Sequence, residues 1–132
     1  MIKLKIGIPS ETGDGLESTI SYHFGRARYY TIIEIEDNKI KKVEVVQTPF
    51  IEHGPGDIPN FLKSKGVNLV IAFGMGGRAI DFFNQLGIKV ITGAEGKIRD
   101  IVNSYLRGEL QTTSRWMEMR EFRHGRHGRH EF

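Results

Sequence analysis

Residues Val67 to Leu86, VNLVIAFGMGGRAIDFFNQL, decide the fold class. Val67 to Phe73 is an almost unbroken apolar run, the length and composition of a strand covered on both faces. Gly74 to Gly77 is a glycine turn, and Arg78 to Leu86 sets Ile80, Phe83 and Leu86 on one side of a helix. A strand, a tight turn and a helix in that order form half of a βαβ crossover. The next strand follows at Ile88 to Ile91, after Gly87.

Reading outward keeps the same pattern. Lys97 to Leu106 predicts a further helix with Ile98, Ile101, Val102 and Tyr105 along one side, and Ile58 to Lys65 predicts an earlier one with Ile58, Phe61 and Leu62 inward, closed by Gly66. Tyr29 to Ile35 and Ile40 to Gln47 are rich in β-branched residues, and Asp37-Asn38 between them is turn chemistry, so the two runs predict a hairpin. Leu4, Ile6 and Ile8 alternate with Lys3, Lys5 and Gly7 as in a strand with one buried face, which Pro9 is expected to end. Ser10 to Ser21, rich in Gly, Ser, Thr and acidic residues, predicts a surface loop. The order βββαβαβα implies an α/β domain of three layers around a mixed five-stranded sheet.

At 132 residues the chain has room for one such domain, assigned here to residues 1–110. Residues 111–132 lack core periodicity and end in the Arg-His-Gly repeat RHGRHGRHEF, which predicts a flexible basic tail. Four arginines against two glutamates give residues 120–132 a charge of +2 out of the whole chain's +3, so the domain itself is nearly neutral. No stretch is apolar for eighteen residues and the N-terminus runs straight into strand alternation, which predicts a cytoplasmic protein without a membrane span. The absence of cysteine excludes thiolate-held iron–sulfur clusters, four-Cys zinc and cysteine nucleophiles. Histidine is left as the best ligand for iron, copper or zinc.

Three stretches carry chemistry. Ser21 to Tyr30, SYHFGRARYY, sets His23 beside Phe24, Gly25, Arg26 and Arg28 just before a strand. Residue types alone favour a turn histidine packed under Phe24, but the same group could hold a soft metal centre or an anionic cofactor, with the arginines offsetting negative charge. Gly74-Met75-Gly76-Gly77-Arg78 follows a strand and opens a helix, so its backbone N–H groups form a ready anion site, with a plain packing turn as the alternative. It also satisfies G-x-G-x-x-A with Glu95 downstream, but on the fourth strand and with Glu95 past a strand's end, which weighs against a dinucleotide site. In the tail, His124, His127 and His130 recur every three residues, a spacing that can gather imidazoles around nickel, copper or zinc. The interleaved arginines suit an anionic cluster or nucleic acid phosphates, of which nucleic acid is the less expected partner.

Taken together, His23-Phe24-Gly25 ahead of Tyr29-Tyr30, His53-Gly54 before the first helix, Phe73 to Ala79, and Gly87-Ile88 before a short strand resemble the dinitrogenase iron-molybdenum cofactor biosynthesis family, which includes NifX, NafY and the C-terminal part of NifB. The resemblance spans roughly residues 3 to 106, through the order and spacing of motifs that are weak singly. It implies a ribonuclease H-like topology and a non-catalytic carrier or storage protein for an iron–sulfur or iron–molybdenum type cofactor or its precursor, handed between cofactor-assembly proteins. It also implies His23 as the primary metal ligand and His53 as a second; together with the arginine and glycine-turn chemistry above, the cofactor-binding set is His23, Phe24, Gly25, Arg26, His53, Gly74, Gly76, Gly77 and Arg78. In that setting the odds at His23 turn toward a ligand. The tail is no part of the shared pattern. Two other functions stay open: a metal-storage or delivery module that binds through the tail, and a nucleotide-binding regulatory domain. A nuclease is disfavoured, because two-metal chemistry needs converging carboxylates and Lys3 to Pro9 contains none.

Overall fold

In the computed structural model, which describes residues 3–48 and 56–119, the expected hairpin forms around Asp37 and Asn38. Both take positive φ, 55° and 62°, as a two-residue turn that follows the right-handed twist of its strands requires. The strands are β2 (Tyr29–Glu36) and β3 (Lys39–Gln47), preceded by β1 (Leu4–Ser10) and followed by α1 (Asp57–Ser64), β4 (Leu69–Ile71), α2 (Gly77–Gln85), β5 (Lys89–Ile91) and α3 (Ile98–Leu106). The sheet order is β3-β2-β1-β4-β5. Strands β1 to β3 pair antiparallel, while β1 pairs with β4 and β4 with β5 in parallel. This is the mixed five-stranded, three-layer α/β arrangement that the element order implies.

Strand alternation divides the core between two faces. Tyr30, Ile32, Val70 and Ala72 meet Ile58 and Leu62 of α1 and Phe83 of α2 on one face. Ile6, Ile8, Ile33, Ile35, Leu69 and Ile71 meet Ile98, Ile101 and Val102 of α3 on the other. Gly7 lets the first layer pack close on the sheet, since a Cβ there would lie 3.3 Å from Val67 Cγ1. Contrary to expectation, Pro9 does not end β1: it pairs with Tyr30. A proline is tolerated there because β4 pairs only with Ile6 and Gly7, so no β4 carbonyl needs a donor from Pro9, whose own carbonyl accepts the Ser21 N–H. The Ser10 to Ser21 stretch is also more than a surface loop. Ile20 is buried, its N–H bonds to the Gly96 carbonyl at 2.9 Å, and the Ile98 N–H bonds to the Ser18 carbonyl at 2.9 Å.

Past the expected boundary at 110 the chain docks back on the sheet. Thr113 donates its N–H to the Gly93 carbonyl at 2.9 Å, and a 3-10 turn at Arg115–Glu118 buries Trp116 to 2% exposure against Phe73. Gly93, at φ 92°, makes the approach possible, since a Cβ there would stand 2.3 Å from the Thr113 carbonyl oxygen. One large aromatic ring anchors a segment without any periodic pattern. The expected tail beyond Met119 lies outside the described residues.

Candidate functional site

The functional stretches converge at the carboxyl end of β1 and β4, where open α/β sheets accept ligands. The chain leaving β1 returns through Ser21, whose N–H bonds to the Pro9 carbonyl at 2.8 Å and whose hydroxyl accepts the His23 N–H at 3.2 Å. Two aromatic anchors flank the half-buried His23. Tyr22 stacks on Phe73 with ring centroids 4.3 Å apart, and Phe24 turns inward to edge contacts with Tyr30 at 5.6 Å and Phe83 at 5.5 Å. A 3-10 turn at Phe24–Arg26 then closes through the Arg26 N–H to the His23 carbonyl at 3.0 Å.

Tyr30 pins this loop from below. Its fully buried hydroxyl donates to the Phe24 carbonyl at 2.5 Å, satisfying two polar groups that burial would otherwise leave costly. The same burial pushes its phenol well above the ordinary tyrosine range. His23 is thereby held between Phe24, buried in the core, and Tyr22, exposed but stacked on the buried Phe73.

Facing it is the start of α2. Gly76 caps that helix in extended backbone (φ −66°, ψ 155°) with no side-chain cap, so the first-turn N–H groups are left for an outside acceptor. A Cβ at Gly76 would meet nothing within 4 Å, so the approach to those amides is open. Between the two lies a cleft of about 210 Å³, lined by His23, Phe24, Gly25 and Arg26 from one side and Met75, Gly76 and Ala79 from the other. An imidazole, a guanidinium and a helix N-terminus around one opening suit an anionic, metal-bearing group.

Five of the residues singled out in the sequence therefore meet in one place: His23, Phe24, Gly25, Arg26 and Gly76. Gly74 and Gly77 are buried in the turn beneath it, and Arg78 is exposed on α2, so these three do not line the cleft. Arg28 is exposed and does not line it either. Met75 lines the cleft while packing in the core. His53, His124, His127 and His130 lie outside the described residues. Among the described residues no three His, Asp or Glu side chains converge as a bare metal ion would require. Glu95, the acidic residue of the dinucleotide pattern, has its carboxylate bonded to the Arg115 guanidinium. Sequence reasoning missed Tyr30 as the pin and Trp116 as the support behind Phe73. A paired aromatic at a strand start and a lone tryptophan in polar surroundings were the available signals.

Known proteins share this plan. A curated but uncharacterised protein of Methanocaldococcus jannaschii is 31% identical over 111 residues, spanning 82% of this chain and 90% of its own. The crystal structure of the protein PH0822 is 44% identical, covers 86% of this chain and 99% of its own, and superposes with a TM-score of 0.81. An NMR structure from Thermotoga, described as a candidate NifB protein, is 30% identical, covers 83% of this chain and 92% of its own, and has a TM-score of 0.65. The family profile described as dinitrogenase iron-molybdenum cofactor matches residues 4–108, a span that holds both walls of the cleft. The chain belongs to the dinitrogenase iron-molybdenum cofactor family, which ties it to the assembly or binding of that kind of cofactor.

Proposed function

We propose that this protein is a non-catalytic carrier or storage protein for an iron–sulfur or iron–molybdenum type cofactor or its precursor. The supporting observation is the meeting of the His23 loop and the uncapped start of α2 across one cleft. A metal–sulfide cluster is large and anionic, so a carrier needs one or two ligands and a field of donors rather than a closed cage. His23 supplies an imidazole nitrogen to an exposed metal. Arg26 and the first-turn amides of α2 offset the negative charge, and Met75 adds a polarisable wall.

No helix among the described residues is long and apolar enough to cross a membrane. The carrier works in the cytoplasm and passes its cargo between cofactor-assembly proteins. Loading is by capture and release, without a bond made or broken in the cargo by this chain. The test is anaerobic incubation with ferrous iron and sulfide, or with isolated cofactor. Charge-transfer absorption should appear in the visible range and weaken on His23→Ala. A protein that stays colourless refutes the carrier reading.

A further inference from the structure

We propose that residues 112–119 form a strap whose docking positions the His23 loop, with Trp116 as its positioning residue, and so sets how tightly the cleft holds its cargo. The inference rests on the carrier reading above and concerns a stretch that the family match, ending at 108, does not include.

Phe73 joins the two walls of the cleft. Its ring stacks on Tyr22 with centroids 4.3 Å apart, and Tyr22 is the residue before His23 in the first wall. Its main chain runs on through Gly74 into Met75 and Gly76 of the second wall. Tyr22 is 43% exposed, so the ring beneath it decides where it sits. A shift of Phe73 therefore moves His23 relative to the start of α2.

The strap holds Phe73 by two routes. Through the main chain, the Gly93 N–H bonds to the Phe73 carbonyl at 2.8 Å and the Gly93 carbonyl accepts the Thr113 N–H at 2.9 Å. Through side chains, the buried Trp116 and the partly buried Met119 pack against the Phe73 ring, and Arg115 pairs with Glu95 at the surface. The cluster of Phe73, Trp116 and Met119 stands apart from the two core clusters that fix the helices to the sheet. Undocking the strap therefore opens neither layer, which is the behaviour of a local unit less stable than the whole domain. Docked, the strap keeps Phe73, Tyr22 and His23 in one contiguous packed chain; undocked, Phe73 loses the ring behind it and the imidazole strays from the position that meets the cargo. The effect is reciprocal by linkage: cargo in the cleft favours the docked strap by the same factor that docking favours cargo.

The experiment compares the full-length native chain with Trp116→Ala, Trp116→Phe and Thr113→Pro, the last of which removes the N–H that Gly93 accepts. Two quantities are read: half-saturation with iron–sulfide cluster assembled anaerobically from ferrous iron and sulfide, and amide hydrogen exchange of the unloaded proteins. Trp116→Ala and Thr113→Pro should each weaken half-saturation about tenfold, the size of an ordinary coupling between sites, and Trp116→Phe, which keeps a ring against Phe73, should recover most of the loss. In the unloaded proteins both undocking variants should speed exchange at residues 22–26, including the Arg26 N–H bonded to the His23 carbonyl, while the amides of α3 stay as protected as in the native chain. Loading the native chain should slow exchange at Thr113. Failure of the native chain to take up cluster removes the carrier reading and the strap's role with it. Native binding with unchanged half-saturation in both undocking variants overturns the strap alone and leaves the carrier reading standing. Faster exchange that spreads to α3 reports loosening of the whole domain, and loss in Trp116→Ala without loss in Thr113→Pro reports a local packing defect; either result overturns the strap.

Discussion

Replacing Tyr30 by Phe removes a single oxygen and tests how the His23 loop is held. The ring contacts with Phe24 persist, but the Phe24 carbonyl loses the buried hydroxyl that donates to it at 2.5 Å. An orphaned buried acceptor together with a lost hydrogen bond costs about 1.5 kcal/mol near neutral pH. The pH dependence carries the sharper signal. Burial raises the native phenol above its ordinary value of 10.0. The protonated state's contribution is thus fully present below about pH 10 and is lost above it, as the unfolded chain ionises first. The native protein loses about 1.4 kcal/mol of stability for each pH unit in that range, and Tyr30→Phe lacks this loss. The two stabilities should therefore converge near pH 11 and cross above it. Urea unfolding of both proteins from pH 8 to 11.5, followed by circular dichroism, measures the gap, and contributions from the other tyrosines cancel. Parallel curves across the whole range would refute the claim that a buried, hydrogen-bonded Tyr30 pins the loop.

Phe24→Ala empties a position that is 4% exposed between Tyr30 and Phe83, and should cost about 3 to 5 kcal/mol in chemical denaturation, far more than an exposed loop residue would. Gly93→Ala puts a methyl group 2.3 Å from the Thr113 carbonyl at a φ of 92°, so residues 112–119 should detach. The chain's single tryptophan, Trp116, reports this directly: its emission should shift to the red and become open to acrylamide quenching, while unchanged emission would count against the docking. Gly76→Asp meets no steric obstacle and supplies a better cap, raising stability by a few tenths of a kcal/mol at most. On the proposed carrier reading its carboxylate should also take the first-turn amides of α2, so cluster affinity should fall about tenfold while thermal stability holds, and retained affinity would exclude α2 from the site.

Much of this was legible because hydrophobic period follows layer. Val67 to Phe73 is apolar apart from Asn68 because β4 is covered on both sides, although regular pairing is confined to Leu69–Ile71. Asp37-Asn38 announced its turn because few other residues accept positive φ twice in succession. The His23 and Gly76 stretches were legible singly, since each carries its own chemistry. Their meeting across a cleft depends on β1 and β4 being parallel neighbours, which no local pattern encodes. Pro9 misled because its effect depends on where β4 stops. Trp116 was invisible to periodicity, since one ring in a single 3-10 turn has no period, and its partner Phe73 lies far back in the sequence. The Tyr30 hydroxyl bond was hidden for a similar reason: alternation places the ring but says nothing of what its oxygen meets.

The most direct measurement is metal and acid-labile sulfide analysis of the native protein and His23→Ala, both purified without oxygen. Iron and sulfide should be found together on the native protein, with visible absorption, and both should drop markedly on His23→Ala at unchanged stability. Equal metal and sulfide on the two proteins, or none on the native one, would contradict the claim that the cleft at His23 holds a metal–sulfide cargo.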